Sequence, residues 1–290
     1  MMKIFITGGT SYLGRHMVPY MNARGHDLCH TWYSTPPIDN FPGYAVQVDI
    51  RDTDRFTEIA MDFQPDVLVH LAASNRSENE EAMVASIEQG ALGVTKIAQA
   101  LDCRLIYMST DVVFDGKQNL YYEDTPVSPL HAYGRAKANA EQMVAAYLNS
   151  VIIRPSLIFS LQTKDHGTQW IEASLKLGKD IVLFTDQIRQ PVWVDTLSEA
   201  CLELIHHDYC GIVHIVGRQS LSRAEFGRKM LDWWGISNRE TLKFGPMPSY
   251  SAWPECLRLD TSLATSILKT PLLGVDEVIK RSTLCQSDPG

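Results

Sequence analysis

Paired cysteines, long apolar runs and an excess of basic residues are all missing from this 290-residue chain. Its six cysteines, Cys29, Cys103, Cys201, Cys210, Cys256 and Cys285, form no CxxC pair and keep no regular spacing. That excludes a disulfide framework or a structural zinc site and leaves reduced thiols. No apolar stretch approaches the roughly 20 residues of a membrane span. The opening MMKIFITGG is too short an apolar run for a secretory leader, so a cytoplasmic location is expected. With 34 acidic against 26 basic residues and a net charge of −8, nucleic acid and anionic membranes are poor partners. A few arginines and a helix N-terminus can still hold a phosphate inside an acidic protein. His206, His207 and Asp208 offer ligand chemistry, but at the end of a helical pattern they read as solvated side chains, and no metal site is assigned. Repeats and low-complexity tracts are absent before the polar tail QSDPG.

What is present is an alternation. β-branched runs at Lys3–Thr7, Asp27–Trp32, Ala45–Asp49, Val67–Leu71, Arg104–Met108 and Val151–Arg154 are separated by helical patterns near Leu13–Ala23, Thr53–Met61, Glu81–Ala100 and Tyr133–Leu148. Strands alternating with helices predict right-handed crossovers in a doubly wound parallel (Rossmann) sheet, an α/β fold. The continuous apolar runs VLVH and LIYM suit strands buried on both faces. Beyond Pro155 the rhythm loosens. IVLF and GIVHIV read as short strands, and Thr168–Leu177, Thr196–His206 and Arg223–Trp234 as helices, the last stopped by Gly235. The expected organisation is a dinucleotide-binding domain over residues 1–160 and a smaller, mainly substrate-binding lobe over 161–290, with some of its segments returning to the sheet.

The first strand runs into FITGGTSYLG, spaced Gly-x-x-Ser-x-x-Gly from Gly8. A dinucleotide loop needs a tight turn, close backbone approach to the pyrophosphate and a helix N-terminus aimed at its charge. Gly8 supplies the turn and Gly14 the close helix–strand packing. Ser11, in place of a glycine, falls at the expected N-cap, where its hydroxyl can serve an orphan amide. Thr10, Tyr12, Leu13 and Arg15 complete the cradle. An NAD site usually carries an acid about 20 residues on, at the end of the second strand; here the chain reads DLCHTWYST, with Asp27 at the start and Ser34 at the end. Without a carboxylate to repel a 2′-phosphate, and with Arg15 beside the loop, NADP(H) is favoured over NAD(H). Asp49 and Ile50 are placed to meet the adenine, Asp49 having a helix cap as its alternative role. Leu71, Ala72, Ala73 and Ser74 would line the cofactor after the fourth strand.

Two further segments carry chemistry. In YMSTDVVFDG, Ser109, Thr110 and Asp111 follow the fifth strand, where ligands bind in open α/β sheets. In HAYGRAKANAE, Tyr133 and Lys137 stand four apart and share one helix face. A free tyrosine has a pKa near 10, so exchanging its proton at neutral pH asks for about 4 kcal/mol. A lysine ammonium about 4 Å away, at an effective dielectric near 20, supplies about 4 kcal/mol.

The order of these three features resembles an extended short-chain dehydrogenase/reductase, and within it the dTDP-4-dehydrorhamnose reductase group. The similarity lies in TGGTSYLGR, in DFQPDVLVHLAA (Asp62–Ala73), in STDVVFDG (Ser109–Gly116), in YYEDTPVSPLHAYGRAKANAE (Tyr121–Glu141), in VIIRPSLIFS (Val151–Ser160) and in DQIRQPVWVDTL (Asp186–Leu197). GIVHIVGRQSLSRAEFGRKM (Gly211–Met230) has the same look. The resemblance implies reduction of the 4-keto group of a nucleotide-activated deoxysugar. Tyr133 would protonate the oxygen, Lys137 would bind the nicotinamide ribose and depress the tyrosine pKa, and Thr110 would orient the carbonyl. Asp111, Arg154, Gln187, Gln190, Trp193 and Arg258 are the substrate-side residues it implies, with Asp186 and Pro191 in the same segment. Trp193 either stacks on a base or belongs to the core.

Some positions depart from the group. Gly90 stands where related sequences commonly carry asparagine, SNRSENEE follows LAA in place of a Val-Asp stretch, and Trp253-Pro254 replaces Arg-Pro. A nucleotide-sugar epimerase or dehydratase shares the Tyr–Lys pair, but Val112 follows Thr110-Asp111 where 4,6-dehydratases carry glutamate. A non-catalytic NADP-binding subunit, like the β subunit of methionine adenosyltransferase, is the other reading. The expected partner is a nucleotide sugar, with room for a homodimer.

Overall fold

The computed structural model describes residues 1–73, 79–249 and 251–287. In chain order the elements are β1 (Lys3–Thr7), α1 (Gly14–Asn22), β2 (Asp27–Trp32), β3 (Tyr44–Gln47), α2 (Thr53–Phe63), β4 (Val67–His70), α3 (Glu80–Leu101), β5 (Arg104–Met108), α4 (Ala132–Ala145) and β6 (Ser150–Arg154). They continue with β7 (Ile158–Phe159), α5 (His166–Lys176), β8 (Ile181–Phe184), β9 (Ile188–Arg189), β10 (Val192–Trp193), α6 (Val194–Ile205), β11 (Gly211–His214), β12 (Leu221–Ser222), α7 (Arg223–Trp233), β13 (Leu242–Gly245), α8 (Ser262–Ile267) and α9 (Val275–Ser287).

Seven strands form one parallel sheet in the order β11-β6-β5-β4-β1-β2-β3. The chain winds outward from β1 to β3 and then crosses back to β4 on the other side of β1. The loops leaving β1 and β4 therefore diverge, and this switch point is where a parallel sheet opens a ligand crevice. Along β1 the alternation is strict: Ile4 and Ile6 enter a core with Met17, Val18 and Met21 of α1 and Leu197, Cys201 and Leu204 of α6. Phe5 enters the opposite core with Phe56 of α2, Ile87 and Val94 of α3, and Ala136 and Ala140 of α4. Burial on both faces explains why these strands read as continuous apolar runs.

Helix starts follow local chemistry. Asn79 accepts from the Glu81 amide and two acids fill the first turn of α3, which suits the helix dipole. His131 accepts from the Gly134 amide at the start of α4. Ser222 and Glu225 form a reciprocal capping box on α7. The third strand is shorter than expected and begins one residue earlier, because Asp49 turns back to accept from the Arg51 amide. α4 stops at Ala145 rather than Leu148, where Tyr147 closes a turn on Val144. From the C-terminal half, β11 extends the sheet beside β6 and α6 packs against α1. α5, β8, α7 and β13 enclose a separate small core around Leu175, Leu183 and Leu231.

Candidate active site

The loop after β1 is built by backbone crowding. Gly8 has φ 70°, and a Cβ there would lie 2.9 Å from the Ala72 amide nitrogen. A Cβ on Gly14 would lie 2.3 Å from the Gly8 carbonyl oxygen, so both positions exclude a side chain. The amides of Gly8 and Gly9 are tied to Thr31 at the end of β2. Ser11 is not the N-cap of α1; Leu13 is. Its hydroxyl instead accepts from the Gly14 amide at 3.1 Å, doing within the loop what a cap does at a helix start. Among the described residues, no acceptor takes the Tyr12 and Leu13 amides. α1 has no acid in its first turn. Donors without acceptors, at a positive helix end, fit an anionic diphosphate. Arg15 lies exposed alongside, its Nε donating to the carbonyl of the buried Thr10. Tyr12 reaches across to donate to the Thr163 carbonyl.

At the carboxyl end of β2, Tyr33 and Ser34 are exposed and no carboxylate closes the strand. Asp49 does not cap α2; Asp52 does, accepting from the Arg55 amide. Asp49 pairs with Arg51 at 2.6 Å, and that hydrogen bond holds its carboxyl below its ordinary pKa. Ile50 packs against Gly90 of α3. Leu71 is buried, the Ala72 amide donates to the Thr7 hydroxyl at 3.2 Å, and Ala73 is exposed. Ser74 and the rest of the SNRSE stretch lie outside the described residues.

Tyr133 and Lys137 occupy one face of α4 at the carboxyl end of β5. Lys137 is 3 % exposed. Its Nζ donates to the Met108 carbonyl at 2.9 Å and to the Tyr107 hydroxyl at 3.3 Å. Tyr133 is half-buried, with its ring 6.2 Å from that of His131, which packs at 4.3 Å on Trp253. Behind the lysine, His70 stacks on Tyr107 and shares a 2.8 Å hydrogen bond with Thr7. Burial, reinforced by the Lys137 charge, pushes His70 down to about 3, so it is neutral. Burial drives the Tyr107 phenol well above its ordinary value, with Tyr133 and Glu141 adding to the effect. Thr110 sits at the end of β5, 7 % exposed, its hydroxyl in long contacts of 3.4 Å with the Asp111 carboxylate and the Val112 amide.

Several expected substrate contacts are occupied by the protein itself. Arg154 is 2 % exposed and forms a two-pronged pair with Glu141 at 2.7 and 2.9 Å, so its guanidinium is not open to a diphosphate. Asp111 is likewise buried, accepting from Ser156 at 2.6 Å and facing Arg189 at 3.8 Å, rather than open to a sugar. The Gln190 side chain accepts from the Leu259 amide, and Gln187 donates to Met247 and to the Pro254 carbonyl. Asp186 accepts from the Met247 amide. Trp193 packs between the α1–α6 core and the core around Phe159 and Phe226, which favours its structural reading. Arg258 is exposed, and its carbonyl accepts from the Tyr121 amide. Next to Trp253 opens a cavity of about 460 Å³, lined among others by Asp115, Lys117, Leu130, Met247 and Glu255.

Sequence reasoning missed Arg189, His70 and Tyr107. Arg189, which also donates to the Pro254 and Glu255 carbonyls, holds the 186–193 segment to residues 254–256. An arginine flanked by Gln187 and Gln190 in QIRQP was its only signal. Among the described residues there is no group of three His, Cys, Asp or Glu side chains fit for a metal, and no helix long and apolar enough to cross a membrane.

A family model described as the RmlD substrate binding domain matches residues 2–271. A probable low-salt glycan biosynthesis reductase, Agl14, of Haloferax volcanii is 28 % identical over 242 residues, covering 80 % of each chain. The methionine adenosyltransferase 2 subunit beta of Mus musculus is 26 % identical over 281 residues, covering 90 % of this chain and 80 % of that one. The crystal structure of a hypothetical dTDP-4-dehydrorhamnose reductase from Sulfolobus tokodaii superposes with a TM-score of 0.79 at 25 % identity, over 95 % of this chain and 98 % of that one. Structures that share only the fold with this chain include complexes with NADP and with NAD.

Proposed function

This chain belongs to the RmlD substrate binding domain family, and from that premise we propose that it is an NADP(H)-dependent reductase of the 4-keto group of a nucleotide-activated deoxysugar. The observation that carries the reading is the placement of Tyr133 beside a buried Lys137, at the carboxyl end of β5 and on the same sheet edge as the glycine loop. The loop amides of Tyr12 and Leu13 bind the cofactor diphosphate. Arg15, with no carboxylate at the end of β2, receives a 2′-phosphate, and this favours NADP(H) over NAD(H). When bound, the nicotinamide supplies the hydride.

The residues of the chain manage the other half of the reaction, the proton. Tyr133 Oη donates its proton to the carbonyl oxygen as that oxygen gains charge. The Lys137 ammonium lowers the cost of the tyrosinate left behind, by about 4 kcal/mol at about 4 Å and an effective dielectric near 20. The Thr110 hydroxyl is only weakly engaged by Asp111, so it can turn to the same carbonyl oxygen and fix its direction. The cavity beside Trp253 gives the nucleotide end of the substrate a place to lie. The test is to mix the protein with NADPH and dTDP-4-dehydro-L-rhamnose and follow loss of reduced cofactor. Turnover is expected, falling at least about 100-fold in Tyr133→Phe, the usual scale of one acid–base group, while NADPH binding stays near the parent value. Equal turnover in the variant removes the tyrosine from the mechanism. The mouse relative, similar over 90 % of this chain, favours a second reading, a non-catalytic NADP-binding subunit; NADPH binding without turnover on any nucleotide ketosugar selects it.

A further inference from the structure

Lys137 cannot act on Tyr133 unless its long side chain is held, and the structure has an unusual device for holding it. Four rotatable bonds separate the ammonium from the helix backbone, so its position depends on what its donors meet. Position 90 of α3, packed close by, is a glycine with no side chain to reach the ammonium. A Cβ there would already lie 3.2 Å from Ile50 and 3.6 Å from the His70 ring. The space is filled from β4 and β5 instead. The Tyr107 hydroxyl accepts from Nζ at 3.3 Å, and the ammonium lies 4.8 Å from the centre of the same ring. The ring itself is clamped: His70 stacks on it at 5.5 Å with 16° between planes. His70 is in turn pinned by the hydroxyl of Thr7, the residue before the glycine loop. Thr7 Oγ1 also accepts from the Ala72 amide. Its oxygen thus joins β4 and the loop after it to the ring of a neutral His70.

We infer that Tyr107 is a positioning residue for Lys137: its hydroxyl, with the Met108 carbonyl, holds the ammonium one helical turn from Tyr133, and the Thr7–His70 pair holds the Tyr107 ring. The inference deepens the reductase reading and rests on it for its meaning, but its test does not depend on turnover. Among the described residues, the charged and titratable groups around the site are His70 on β4, Tyr107 on β5, Tyr133 and Glu141 on α4, Arg154 on β6 paired to Glu141, His131 ahead of α4, and Asp111 paired to Arg189. None of these charges is altered by Tyr107→Phe, which keeps the ring and removes only the hydroxyl.

The experiment is an alkaline ultraviolet titration of tyrosinate in the cofactor-free protein. The signal of Tyr133 is taken as the difference between each protein and its Tyr133→Phe counterpart. Tyr107→Phe should raise the Tyr133 midpoint by about one pH unit, because a displaced ammonium stabilises the tyrosinate less. In a Lys137→Met background the same substitution should leave the midpoint where it is. Where turnover is measurable, kcat at pH 7 should fall about ten-fold, the equivalent of that one-unit shift, with the KM for NADPH within about two-fold. An unmoved midpoint in Tyr107→Phe, or an equal shift in the Lys137→Met background, overturns the inference. If Tyr107→Phe does not fold, His70→Phe, which unpins the ring but leaves the hydroxyl, should move the midpoint in the same direction by a smaller amount; an unmoved midpoint there overturns it too. Absence of turnover in the parent protein, with the titration shift intact, sinks the reductase reading and leaves the positioning role standing.

Discussion

Replacing Arg154 separates a structural role from a substrate-binding one, and the two roles predict opposite results. The guanidinium is 2 % exposed and makes hydrogen bonds of 2.7 and 2.9 Å to the two oxygens of Glu141, which is 4 % exposed. It also contacts the Glu123 carbonyl and lies 4.9 Å from the centre of the Phe114 ring. Arg154→Met removes the cation and leaves Glu141 as a buried carboxylate whose remaining hydrogen bond comes from the Ser109 hydroxyl. Breaking a buried pair from one side costs about 3–5 kcal/mol, because the surviving charge is neither solvated nor paired. For a chain of this size that corresponds to a fall in melting temperature of roughly 5–8 °C. Arg154→Met combined with Glu141→Leu removes both charges and should recover most of the loss. The assay is calorimetric or denaturant unfolding of the parent, the single variant and the pair, with the KM for nucleotide sugar measured on the single variant at low temperature. A single variant within about 1 kcal/mol of the parent but with a large rise in KM would refute the structural reading and restore Arg154 to the diphosphate.

Arg15→Ala should weaken NADPH binding about ten-fold, the loss of roughly 1.5 kcal/mol of charge-assisted hydrogen bonding, and leave NADH binding unchanged; isothermal titration with both cofactors checks it. Burial also sets a pH dependence: His70 and His214 are pushed down to about 3, chiefly by desolvation. A histidine kept neutral in the fold but protonated in the unfolded chain lowers stability as pH falls below its unfolded value of about 6.5. Stability should therefore rise from pH 5 to pH 7 by about 2 kcal/mol for each such histidine and level off above. His214→Gln should flatten that slope, as measured by urea unfolding across the range; an unchanged slope counts against a neutral, buried His214.

Much of the fold is legible in the sequence because its strongest signals are local. β1, β4, β5 and β6 are rich in β-branched and aliphatic residues, and the loop from Gly8 to Gly14 announces itself by spacing that backbone crowding requires. Tyr133 and Lys137 are readable because four residues on a helix is a fixed geometry. The two-residue strands β7, β9, β10 and β12 are too short to display any period, and they pair across long stretches of chain. The same distance hides the true partners of the substrate-side residues. Glu141 meets Arg154, Asp111 meets Arg189 and Gln190 meets Leu259 only after folding. A charged residue near a motif reads as a ligand contact until burial and a partner show that its charge is already spent. Tyr107 and His70 were hidden for the opposite reason, since inside an apolar strand an aromatic reads as core.

The most direct measurement is isotopic. NADPH carrying deuterium in both positions at nicotinamide C4 is incubated with the protein and dTDP-4-dehydro-L-rhamnose or a related nucleotide 4-ketosugar, and the product sugar is weighed by mass spectrometry. The parent protein should place one deuterium at C4 of the sugar, and Tyr133→Phe almost none at matched cofactor occupancy. Product equally labelled by both proteins, or an unlabelled sugar from the parent with NADPH bound, contradicts that expectation.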